Sequence, residues 1–136
     1  MALTAIAASR LGDAAVGSRL RANFEPYRHQ FIDNASTFFG SVAHFHALCS
    51  TTVGDDDGAD ESFSAAIAAH RRLDSRPLLA RTQLEYATAL ARRSPRRDDE
   101  AIELARAALV EAERSGYRTI ARRSSDLIRS FRPVAG

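Results

Sequence analysis

The stretch DDEAIELARAALVEAERS, residues 98 to 115, carries the plainest fold signal in the chain. Ala101, Leu104, Ala105, Ala108, Leu109 and Ala112 recur every three or four residues, which places one apolar stripe on an α-helix. Asp98, Asp99 and Glu100 crowd its start, where negative charge meets the positive end of the helix dipole. Gly116 follows its end, as a left-handed terminal residue would.

Working outward, residues 60 to 73 give a second one-sided helix through Phe63, Ala66, Ile67, His70 and Leu73. Pro77 opens another from about 77 to 93, since proline is tolerated in a first turn. Here Leu78, Leu79, Leu84, Tyr86, Ala87, Leu90 and Ala91 spread over more than one face, as a helix packed on two sides requires. The segment from Gly40 to Val53 has the same two-sided character. The last helix, 117 to 131, returns to one stripe.

Leu48 matches Leu90, Ala59 matches Ala101 and Ala66 matches Ala108, each at an offset of 42 residues. A two-sided helix precedes a one-sided helix both times. Upstream, Leu11-Gly12-Asp13 plays the part of Val53-Gly54-Asp55, with about three extra residues in the later turn. The expectation is an all-α α-solenoid of about three helical hairpins. As one domain over 1–136 it comprises a short first hairpin (1–25), a linker (26–40), a second hairpin (41–74), a third (77–115) and a terminal covering helix (117–131). The linker's Tyr27, Phe31, Phe38 and Phe39 are expected to pack down.

The chain has the length of one ordinary domain, with a globular mixture of 45% hydrophobic and 26% charged residues. No apolar run is long enough to cross a bilayer, and the N-terminal stretch lacks the basic start of a secretion signal. A single cysteine, Cys49, fits a reducing, cytoplasmic setting. The net charge of +2 hides an asymmetry: residues 1 to 70 hold 4 Arg against 8 acids, and residues 71 to 136 hold 15 Arg against 9. All 19 basic residues are arginine, a bias that a GC-rich genome explains better than a selected nucleic-acid surface.

Several motifs invite chemistry and are better read as structure. GDDDGADE, residues 54 to 61, fails the register of a calcium loop, because the fifth ligand position from Asp55 is Ala59 and the twelfth is Ala66. His44 and His46 stand about 200° apart on a helix and cannot share an ion, so with Cys49 they read as polar-face histidines and a core thiol. There is no G-x-x-x-x-G-K-[ST] loop and no lysine, which excludes ATP binding of that type. No catalytic, cofactor-binding or metal-binding residue is assigned.

The small residue Ala59, an aromatic at Phe63 and Ala66 after it look like the tetratricopeptide pattern, a resemblance that implies a tetratricopeptide-like α-solenoid wound as a right-handed superhelix. More specifically, the span from about 3 to 130 resembles the helical repeat region of large actinobacterial regulators. These pair an ATPase module, sometimes with a cyclase domain, with a LuxR-type helix-turn-helix. The matching stretches are LGDA (11–14), PY (26–27), GSVAHF (40–45), FSAAIAAHRRL (63–73) and RPLLARTQLEYA (76–87). The resemblance implies a non-enzymatic protein-interaction or signal-sensing segment of a transcriptional regulator. After Phe131 only RPVAG follows, where such regulators continue into their DNA-reading domain, so the expectation is either a stand-alone, truncated or split relative or an excised piece.

In such arrays the first helix of each hairpin lines the concave surface. His44, and Arg81, Glu85 and Thr88 on one face at i, i+4 and i+7, are therefore the candidate partner-binding positions. A protein or peptide partner is expected, with self-association through exposed end units a further consequence. The competing reading is an arginine-rich nucleic-acid-binding accessory protein acting through the pairs at 71–72, 92–93, 96–97 and 122–123.

Overall fold

A computed structural model describes residues 1 to 131; the RPVAG stretch lies outside the described residues. The chain divides into two compact units, Met1–Leu73 and a second beginning at Asp74. Among the described residues they hold seven α-helices and one two-stranded antiparallel ribbon. The fold is mostly helical, as the periodicity predicts.

In the first unit, α1 (Ala2–Leu11) and α2 (Ala14–Phe24) form the short hairpin. A single 3-10 turn (Glu25–Tyr27) leads to β1 (Phe31–Asp33) and β2 (Phe38–Ser41), followed by α3 (Val42–Val53) and α4 (Asp56–Arg72). The ribbon corrects the expected linker over 26–40. Ile32 pairs with Gly40 and Phe31 with Ser41, and the rings of Phe31 and Phe38 pack 5.7 Å apart. These aromatics pack mainly on each other: Tyr27, Phe31 and Phe38 all remain exposed. Strands of three and four residues are too short to show a sustained alternating pattern in sequence.

The two Gly-Asp turns are the same device. Gly12 and Gly54 adopt left-handed φ of 67° and 81°. Behind them the Asp13 and Asp55 amides donate to Ala8 O and Ser50 O, both at 2.9 Å, satisfying carbonyls that end the preceding helix. Each aspartate then caps the next helix, Asp13 Oδ1 accepting from Val16 N–H and Asp55 Oδ1 from Gly58 N–H, both at 3.0 Å. The expected extra residues in the later turn are absent. Asp56 and Asp57 already form the first turn of α4, where their charge complements the dipole, so this helix starts before residue 60.

Helix α3 is the centre of this unit. It packs against α1, α2 and α4, and every residue from Val42 to Ser50 is buried. Phe45 and Phe63 are fully enclosed. Gly17 of α2 permits the close approach: a Cβ there would stand 3.2 Å from the Thr52 methyl.

The second unit consists of α5 (Arg76–Ala91), α6 (Asp98–Ser115) and α7 (Arg118–Ser130). Ala101, Ala105, Ala108 and Ala112 form a fully buried small-residue face on α6, the main partner of which is α5. Gly116 is left-handed, at φ 76°. The offset of 42 residues holds for the second helix of each hairpin: α4 and α6 begin at 56 and 98, and Ala59, Ala66, Ala101 and Ala108 are all fully buried. It does not hold for the first helices or their turns. Leu48 lies mid-way along α3 whereas Leu90 is in the last turn of α5, because residues 92 to 97 replace the tight Gly-Asp junction.

The Asp55 cap is expected to be worth about 1–2 kcal/mol of stability, as N-cap side chains generally are. Urea unfolding should show Asp55→Ala losing that amount and Asp55→Asn retaining most of it. Equal losses in the two variants would assign the effect to the ion pair with Arg21 instead.

Candidate functional site

Burial of α3 forces its polar side chains to find partners, and His46 lies at the centre of the result. Its Nδ1 is 2.8 Å from Ser62 Oγ on α4 and 3.4 Å from Ser50 Oγ one turn along α3. On the other side of the ring, Glu25 Oε2 lies 2.6 Å from Nε2, a close approach off the line of the ring N–H. A carboxylate can only accept, so it favours the tautomer with the proton on Nε2, leaving Nδ1 to accept from the Ser62 hydroxyl.

The network extends both ways. Arg21 Nε donates to Ser50 Oγ at 3.1 Å, and its guanidinium also pairs with Asp55. Arg28 reaches Glu25 at 3.4 Å and Glu61 at 3.2 Å. Burial pushes the His46 pKa below 6.5; Glu25 opposes that shift, while Arg28 and Arg21 add to it. The imidazole is therefore neutral at pH 7.

A serine bonded to a histidine with a carboxylate close on its other side resembles the arrangement of a nucleophilic hydrolase. The geometry denies it a substrate. Ser62 has no exposed surface, sits within α4 rather than on a strained turn, and is absent from the groove lined by Phe24, Tyr27, Phe31 and Val42. What the network does is lock α2, the 3-10 turn, α3 and α4 together. Sequence gave one hint, the i, i+4 spacing of His46 and Ser50; Glu25 and Ser62 arrive through the fold.

The histidines are not on a polar face. His44 is 1% exposed, with its ring edge-on to Phe45 at 5.0 Å, which removes it from the set of accessible partner-binding positions. His70 is fully buried and its Nε2 accepts from the Ser41 N–H at 3.0 Å. Cys49 is buried too, and burial pushes its thiol up to about 11, outweighing the lowering effect of Arg21. No cluster of three or more His, Cys, Asp or Glu side chains suited to a metal occurs among the described residues.

In the second unit, Arg81, Glu85 and Thr88 do share a face: they are half-buried while the residues between them, Thr82 to Leu84 and Tyr86 to Ala87, are buried. Internal partners already use part of this face. Arg123 Nη2 on α7 donates to Glu85 Oε1 at 2.9 Å, and Thr88 Oγ1 donates to Leu84 O at 2.9 Å. Burial lowers the Arg81 pKa to about 10, against the raising effect of Glu85, and the side chain still carries its charge at pH 7.

Part of the arginine-rich half is paired with acids at short range. Arg96 pairs with Asp98 at 2.9 Å, Arg97 with Glu100, Arg123 with Glu85, and Arg129 with Asp126. Guanidinium groups engaged this way leave less positive field for a phosphate backbone. No described helix is long and apolar enough to cross a membrane.

No protein-family model, curated protein or solved structure matches the chain. The likeness to LuxR-type regulators thus rests on the matched stretches alone.

The neutral His46 carries a pH dependence whose sign follows from its lowered pKa. The folded state binds its proton less tightly than the unfolded chain, so its contribution is present above about pH 6.5 and is lost as pH falls through the lowered folded value. Each tenfold weakening of proton affinity corresponds to about 1.4 kcal/mol. Urea unfolding at pH 7.5 and pH 5 should show the loss on acidification, and His46→Gln should shrink it. A thiol reagent should leave Cys49 unlabelled in the folded chain and label it in urea, since a buried thiol with a raised pKa supplies little thiolate.

Proposed function

We propose that the chain is a non-enzymatic protein-interaction or signal-sensing module, built from tetratricopeptide-like hairpins and related to the repeat region of LuxR-type transcriptional regulators. The observation that carries this reading is the half-exposed stripe Arg81, Glu85 and Thr88 on the first helix of the α5–α6 hairpin. It places two charged groups and a hydroxyl where a partner's polar atoms could reach them, between the buried positions Thr82 to Leu84, Tyr86 to Ala87 and Ala89 to Leu90. The repeat reading draws support from α4 and α6, whose small-residue positions are buried in the same register. The chemistry-bearing side chains of the first unit, His46, Ser62 and Cys49, are enclosed, which favours binding over catalysis.

Arg81 is too buried to replace without a stability cost, so the informative variant exchanges charge. Glu85→Arg together with Arg123→Glu preserves an internal ion pair between α5 and α7 and reverses the polarity presented outward. Affinity capture from host extract should lose its specific partners with the exchanged chain, while circular dichroism and the unfolding midpoint stay close to wild type. Capture of the same proteins at unchanged yield by both chains would remove this face from the interaction.

A further inference from the structure

Resting on that reading of the chain as an interaction module, we propose that the β1 edge is a docking site for an extended, basic peptide segment, which adds to the ribbon as a third strand. The pairing pattern sets which backbone groups are available. Val42 N–H donates to Gln30 O at 2.9 Å and Asn34 N–H to Thr37 O at 3.1 Å, with Ile32 opposite Gly40 between them. In an antiparallel ladder the alternate residues turn their N–H and C=O groups outward, and here these are Phe31 and Asp33. The register shifts between Ile32 and Asp33, but the extra residue lies on β2, so the alternation holds along β1, and outside the ladder neither residue has a backbone bond among the described residues. Donor and acceptor at two-residue spacing suit another extended chain; a helix has spent its own backbone groups internally.

The side chains beside this edge fit the same occupant. A groove of about 340 Å³ runs along it, walled by Phe24, Tyr27, Phe31 and Val42, at the lower end of the size range of ligand sites. A space of that size takes one or two apolar side chains from alternate positions of a strand. Phe31, 41% exposed, forms its lip. Asp33 is the one charged side chain among the lining residues and has no cation partner among the described residues. It also borders a second groove at Ala35 to Phe38. Opposite this carboxylate, the complementary segment carries Lys or Arg next to its apolar residue. The edge is only three residues long, so the bound state is a weak, exchangeable one.

The test uses the full chain and fluorescein-labelled octapeptides of alternating valine and lysine with one central leucine, alongside the same peptides with glutamate for lysine, read by fluorescence anisotropy. The basic peptide should bind about tenfold more tightly than the acidic one, and Asp33→Lys should invert that preference. N-methylation of every second peptide amide should weaken binding about tenfold in one phase and leave it nearly unchanged in the other, because only one set of amides faces β1. Equal sensitivity in both phases, an unchanged preference in Asp33→Lys, or no binding of any peptide would overturn the proposal, as would sedimentation showing the edge occupied by a second copy of the chain. Since the α5 charge exchange addresses a different unit, partner capture that still responds to it while the peptides fail would remove strand addition alone and leave the interaction reading standing.

Discussion

Helix α3 has no face turned to water: α1, α2 and α4 surround it, and Val42 through Ser50 are all buried. For Phe45, Ala47 and Leu48 that enclosure is favourable, at about 25 cal/mol for each Å² of apolar surface removed from water. For His44, His46 and Ser50 it is a cost of about 1–3 kcal/mol per polar group left without a partner. The same helix therefore supplies the hydrophobic core of its unit and dictates where polar partners must stand. Ser62 is placed on α4 and Glu25 at the 3-10 turn as the two ends of one imidazole.

The attachment of the ribbon follows from the same constraint. His70 accepts the Ser41 N–H, while the Ser41 hydroxyl accepts from Ala43 N–H and so caps α3. One serine thus joins the end of β2, the start of α3 and the end of α4. Both bonds lie on the β2 side, so the ribbon is tied to the core through one strand, and its other strand keeps an unpaired edge. The Nε2 of His70, accepting a backbone N–H, carries no proton in this arrangement.

Helix identity was legible in sequence because apolar spacing survives without any tertiary information: the Ala101 to Ala112 stripe and the two-sided pattern of α3 each appear in the structure as read. The Gly-Asp junctions were legible as turns, since left-handed φ and an N-cap are local demands, although the start of α4 at Asp56 was hidden by acids that resemble a loop. The ribbon was not legible, strands of three and four residues being too short for a period-two alternation to stand out. The burial of His44 was not legible either. A histidine on a helix surrounded by neighbours looks the same in sequence as one on a solvated face, and only the count of packing partners separates them. Arg81, Glu85 and Thr88 were found because their spacing alone defines a face, whereas the Glu85–Arg123 pair needed α7 to be placed.

Distances by themselves would make Glu25, His46 and Ser62 a relay for proton transfer, and the argument against that role is energetic. Exposing Ser62 means parting α4 from α3, and its neighbour Phe63 is fully enclosed along with Phe45. Each large side chain so exposed costs about 1.5–3 kcal/mol, and the Asp55 cap and Arg21 contacts at the α3–α4 junction resist the same opening. The sum approaches the whole stability of an ordinary domain of this size. Chemistry at Ser62 would therefore compete with unfolding. Binding at the β1 edge would ask for no such rearrangement, because Phe31 and Asp33 already stand at the surface.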